Sequence, residues 1–159
     1  MSLFNRRAVL IAPFLLAACG FSPVYGTGGS GDKLQNQITV SAPKTRNTFL
    51  LTRRLEERLG RTSSPIYRLT FEVETSTEGL AVNREGNINR FNLLGDAEYV
   101  LVEENTGRVV TSGSVDNFTS FSASGTTVSE LAAARDAQER LMTLLADQII
   151  VRLLSSDLS

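Results

Sequence analysis

The sequence predicts an α+β two-layer sandwich, with a mainly antiparallel four-stranded sheet and two helices packed on one of its faces. Three observations predict it. Residues 67–74 alternate strictly between apolar and polar side chains. Two further strand-like segments follow, joined by a turn tetrapeptide. Helical stripes lie before and after this strand-rich stretch. The order strand, helix, three strands, helix suits a hairpin-rich sheet that gathers its helices on one side.

Ile38-Thr39-Val40 is a short strand ended by Pro43. The first helix covers residues 48–59, where Leu51, Leu55 and Leu59 recur every fourth position. Arg53, Arg54, Glu56, Glu57 and Arg58 cover much of the remaining surface. Asn47 or Thr48 is placed to cap the start, and Gly60 to end the helix. In the next strand Tyr67, Leu69, Phe71 and Val73 form the buried parity, and Arg68, Thr70, Glu72 and Glu74 the wet one. A polar stretch around Arg84 and Gly86 leads to a long strand over residues 89–103. There Phe91, Leu93, Gly95, Ala97, Tyr99 and Leu101 share one parity. The opposite parity mixes Asn92, Asp96 and Glu98 with Leu94, Val100 and Val102, so part of that face is expected to be covered. Glu104-Asn105-Thr106-Gly107 is a hairpin turn signal, and the return strand covers residues 108–121. The last helix spans residues 127–154, with Thr127 to Glu130 fitting a capping box. Its stripe reads Val128, Leu131, Ala134, Ala137, Leu141, Leu144, Leu145, Ile149 and Leu153, and Asp136 with Arg140 forms an i,i+4 pair.

Composition narrows the chemistry. The chain has no histidine and one cysteine, Cys19. That removes the commonest general base and the commonest metal ligand, so no catalytic residue, metal site or cofactor is assigned, and no enzyme activity is expected. The acidic residues fall at strand-alternate positions or on helix surfaces, where solvation accounts for them.

The N-terminus has the layout of a secretory signal peptide. Arg6 and Arg7 precede an uncharged, mostly apolar stretch over residues 8–18. Those eleven residues would reach only about 17 Å as a helix, against a hydrocarbon core of about 30 Å, and Pro13 interrupts them. Leu16-Ala17-Ala18-Cys19 resembles the bacterial lipobox, in which the cysteine takes diacylglycerol on sulfur and becomes the N-acylated mature terminus. By the same resemblance Gly20, in place of aspartate, points to the outer membrane. The arginine pair is compatible with twin-arginine export or with an ordinary n-region. Residues 1–18 are therefore read as the signal peptide, 19–36 as a lipidated, glycine-rich flexible tether, and 37–159 as a single α+β domain. Removing the signal takes two of the 16 basic residues and none of the 17 acidic ones, leaving a net charge of −3. No nucleic-acid partner is expected of such a chain.

Cys19-Gly20-Phe21-Ser22-Pro23-Val24-Tyr25-Gly26 resembles the mature start of the LptE family, the lipopolysaccharide-assembly lipoproteins of Gram-negative outer membranes. The order of elements and the segment Asp136-Ala137-Gln138-Glu139-Arg140-Leu141 are similar to that family as well. The resemblance implies several things. The chain would be lipid-anchored, with palmitate-type acylation at Cys19, on the periplasmic side of the outer membrane. It would bind and plug an LptD-type β-barrel, assist the barrel's assembly, and help insert lipopolysaccharide into the outer leaflet. The alternative is an auxiliary lipoprotein subunit of an envelope lipid or solute ABC-type transport system. One feature departs from the expectation: lipopolysaccharide is phosphorylated and calls for a basic surface, yet the domain is net acidic. The nearest basic candidates for ligand binding are Arg84 and Arg90, which flank Gly86.

Overall fold

The computed structural model describes residues 30–82, 88–123 and 125–156. Seven elements follow in order: α1 (Ser30–Leu34), β1 (Ile38–Val40), α2 (Arg46–Leu59), β2 (Tyr67–Val82), β3 (Ile88–Glu103), β4 (Val109–Ser122) and α3 (Thr127–Ser155). The strands form one sheet in the order β1-β2-β3-β4. β1 runs parallel to β2, as the intervening crossover helix α2 requires. The other two pairings are antiparallel. This is the α+β sheet with two helices on one face that the pattern predicts.

The alternation in β2 holds, with Leu69 fully buried and Arg68, Thr70, Glu72 and Glu74 exposed. Phe71 is half-buried and packs against the edge of the core. In β3, Leu93, Ala97, Tyr99 and Leu101 are buried on the helix side. Gly95 lies directly under α3, where an added Cβ would sit 2.9 Å from Leu141 Cδ2 and 3.1 Å from Leu145 Cδ1. Glycine is what lets the helix approach the sheet this closely.

Within the stretch expected to be a flexible tether, residues 30–36 are described and join the domain. Ser30–Leu34 forms a turn of helix, and Leu34 is fully buried in the same core as Leu55 and Leu153. The apolar side chain at position 34 closes the end of the core. The chain behind it is fixed by the Asn36 N–H, which donates to the Leu59 carbonyl at 2.8 Å.

Both helix starts differ from the sequence expectation. α2 begins after Thr45, not Asn47 or Thr48. The Thr45 hydroxyl accepts the Thr48 N–H at 3.2 Å, and the Thr48 hydroxyl accepts the Thr45 N–H at 2.8 Å. Two threonines three residues apart thus do the work of a capping box. α3 is capped by Thr126 rather than Thr127, with the Ser129 N–H donating to the Thr126 hydroxyl at 3.3 Å. Glu130 stays in the first turn, where a negative charge suits the helix dipole. Gly60 ends α2 as expected, at φ 80°, a left-handed conformation that glycine adopts without strain.

α2 and α3 meet along a polar seam above the core. Arg54 donates to both carboxylate oxygens of Asp147, at 2.9 and 3.0 Å, and Arg53 reaches Glu139 at 2.6 Å. The hydrogen bond to Asp147 is the main cause that raises the Arg54 pKa. On the helix side of β3, burial pushes the Tyr99 phenol above its usual range.

Candidate functional site

The sheet is longer than its helical cover. β2 and β3 have 16 residues each, about 50 Å of strand, whereas the 14 residues of α2 span only about 21 Å. The start of α2 lies over Thr75, where Asn47 Nδ2 donates to Thr75 Oγ1 at 3.5 Å. Beyond that point only α3 lies over the helix-side face. Its docked and overhanging parts meet at Ala137, whose carbonyl accepts the buried Thr119 hydroxyl at 2.9 Å. The buried residues of the helix, from Ala137 to Leu153, begin at this bond and continue C-terminal to it. N-terminal to it, Val128 is 79 % exposed and Leu131 51 %.

The overhang creates a hollow of about 370 Å³ lined by Arg46, Thr77, Leu93, Phe121, Leu131, Ala134, Arg135 and Gln138. Leu131, Ala134, Arg135 and Gln138 follow i, i+3, i+4, i+7 spacing and so line one face of the helix. The inner end is closed by Gln138 Nε2 donating to Asn47 Oδ1 at 2.5 Å. The floor is apolar and the rim carries Arg46 and Arg135, neither of which makes an ion pair among the described residues. Phe121 separates this hollow from a neighbour of about 260 Å³ lined by Arg90, Ser120, Ser122, Ala133, Asp136 and Arg140. The Phe121 ring stacks on Phe91 at 5.4 Å between centroids. Arg140 is held in place, pairing with Asp136 and donating to the Ser120 carbonyl at 3.1 Å.

An apolar floor rimmed by guanidinium groups suits an amphiphile with acyl chains and an anionic head, since arginine matches phosphate geometry in a bidentate manner. Of the residues singled out from sequence, Arg90 lies at this open end. Arg84 and Cys19 lie outside the described residues. Arg46, Arg135 and Arg140 were missed, because arginines at a helix start or on a helix surface read as ordinary solvated charges. The signal that could have found them is the mismatch in length between the strands and the first helix.

Residues 35–153 match the family model of LptE, described as lipopolysaccharide-assembly. The chain belongs to the LptE family. The LptE match takes in β1 to β4, α2 and most of α3, so it includes every residue lining both hollows. No curated protein matches the chain. Among solved structures, the fold is similar to a Caulobacter crescentus protein named as a lipoprotein. That similarity has a TM-score of 0.65 and 24% identity, covering 82% of this chain and 96% of that one. The rare lipoprotein B from Shewanella oneidensis aligns with a TM-score of 0.58 and 14% identity, over 76% of this chain and 94% of that one. The minor lipoprotein from Acinetobacter baumannii gives 0.56 and 16%, over 77% and 93%. At these identities the likeness shows a shared fold.

Proposed function

We propose that this chain is an outer-membrane lipoprotein, anchored through lipid on Cys19, that binds and plugs an LptD-type β-barrel. It assists assembly of that barrel and the passage of lipopolysaccharide into the outer leaflet, and it carries out no catalysis of its own. The observation that carries the reading is the open end of the sandwich. In a chain of a lipopolysaccharide-assembly family, an apolar floor and arginines that make no ion pair among the described residues stand together in one overhung hollow. The acyl chains of lipopolysaccharide meet Leu93, Phe121 and Leu131, and its phosphates meet Arg46 and Arg135, with Arg90 of the neighbouring hollow extending the basic rim. The family match, the names of the structurally similar lipoproteins and the lipobox at Leu16-Ala17-Ala18-Cys19 support an envelope lipoprotein. Three or more buried acyl chains hold a protein stably where a single chain is marginal.

The test is affinity capture of the full chain from solubilised outer membrane, combined with depletion. Recovery of an LptD-type barrel in one-to-one ratio, with assembled barrel and surface lipopolysaccharide falling together on depletion, is the expected result. Unchanged barrel and lipopolysaccharide, with a failure of solute or phospholipid transport instead, would replace this reading with the transporter-subunit one. Mass spectrometry of the mature N-terminus should show diacylglycerol and a third acyl chain on Cys19, and Cys19→Ala should abolish both.

A further inference from the structure

The face of the sheet turned away from the helices carries a charge pattern that an isolated domain has no use for. Strand register sets Glu72 opposite Glu98, and in the adjacent row sets Glu74 opposite Asp96 and Asp96 opposite Asp116. All five carboxylates are exposed, and none makes an ion pair among the described residues. Like charges directly opposite on neighbouring strands destabilise a sheet. The next row places Leu94 opposite Phe118, whose ring is 58 % exposed on this same face. The face therefore combines uncompensated negative charge with an aromatic anchor.

We propose that this face is a docking surface for a cation-lined protein wall, with arginine or lysine rows meeting the two carboxylate rows and an apolar pocket receiving Phe118. This rests on the barrel-partner reading and identifies the wall as that of the barrel lumen. Three observations favour a protein wall. The carboxylates stand side by side on a flat surface instead of converging, and no group able to hold a metal ion occurs among the described residues. An anionic membrane or the phosphates of lipopolysaccharide would be repelled by the carboxylate rows, whereas the arginines at the open end would attract them. An exposed aromatic ring with polar and charged neighbours suits an anchor that enters a pocket inside a polar rim. The two regions thus divide the work: the open end takes the anionic ligand, and the sheet face takes the protein.

The experiment co-expresses the full chain with the LptD-type barrel of its own genome and compares wild type with a variant carrying Glu74→Gln, Asp96→Asn and Asp116→Asn. The free variant should melt no lower than wild type, because repulsion is relieved. Its recovery of barrel should fall about tenfold or more, since complementary charge governs such docking. Wild-type recovery should also weaken between about 50 and 500 mM NaCl, while the variant's changes little. Phe118→Ala should lower recovery without unfolding the chain. Equal recovery by the neutralised variant and wild type overturns the docking face and leaves the barrel reading standing. Failure of wild type to recover any barrel overturns both. Stabilisation of free wild type by calcium chloride, lost in the variant and accompanied by unchanged barrel recovery, assigns the face to cations and overturns the proposal.

Discussion

The two parts of the last helix obey different rules. From Ala137 onward α3 is pressed into the sheet, with Leu141, Leu145, Ile149 and Leu153 fully buried and Gly95 recessed beneath them. Before Ala137 the same apolar stripe continues through Leu131 and Ala134, which line a hollow and not a filled core, with Val128 exposed beyond them. Apolar residues at helical spacing therefore serve stability in one part and are left available to a ligand in the other. The first helix makes the difference, because α2 ends its cover at Thr75 while β2 runs on to Val82.

Substitutions can break this comparison, and the largest expected effect is in the docked part. Leu145→Ala should cost about 2–5 kcal/mol, whereas Leu131→Ala should cost less than about 0.5 kcal/mol, both read from urea midpoints. Equal losses would mean that the overhang is as firmly packed as the rest. Gly95→Ala should come next, at about 1–3 kcal/mol, because two buried leucine side chains must move to admit the methyl. Thr119→Val tests the boundary itself. It removes the buried hydrogen bond to the Ala137 carbonyl and should cost about 1 kcal/mol, with amide exchange rising first around the middle of α3. The smallest effect belongs to Thr126→Ala. Loss of that cap is worth about 0.5–1 kcal/mol locally, and should appear as faster amide exchange in residues 127–133 with a nearly unchanged global midpoint.

Much of the fold was legible because each element carried its own signal. The parity of β2 from Tyr67 to Glu74 and the shared parity of β3 from Phe91 to Leu101 were readable from period two alone. The cap positions were not, since runs of Ser and Thr at residues 126–129 and at 45–48 offer several equivalent hydroxyls, and only the backbone geometry picks one. Leu34 was assigned to the tether because a lone leucine among glycines carries no period. The site was the least legible part. The sequence gives a continuous stripe from Val128 to Leu153, and nothing local marks where the core stops. That point depends on how far α2 reaches over the sheet, which is a tertiary quantity. Arg90 was identified by its place beside a glycine loop, whereas Arg46 and Arg135 come together only after two helices far apart in sequence pack side by side.

The central claim is that the overhang binds the anionic amphiphile and the docked part does not depend on it. The most direct measurement is the affinity of the purified full chain for lipopolysaccharide, with wild type set against a variant carrying Arg46→Ala and Arg135→Ala. Binding should weaken by about tenfold or more, as expected for the loss of two guanidinium–phosphate contacts, while the urea midpoint stays where it was. Wild-type affinity in the variant would contradict it, and so would a loss of binding that appears only together with a loss of stability.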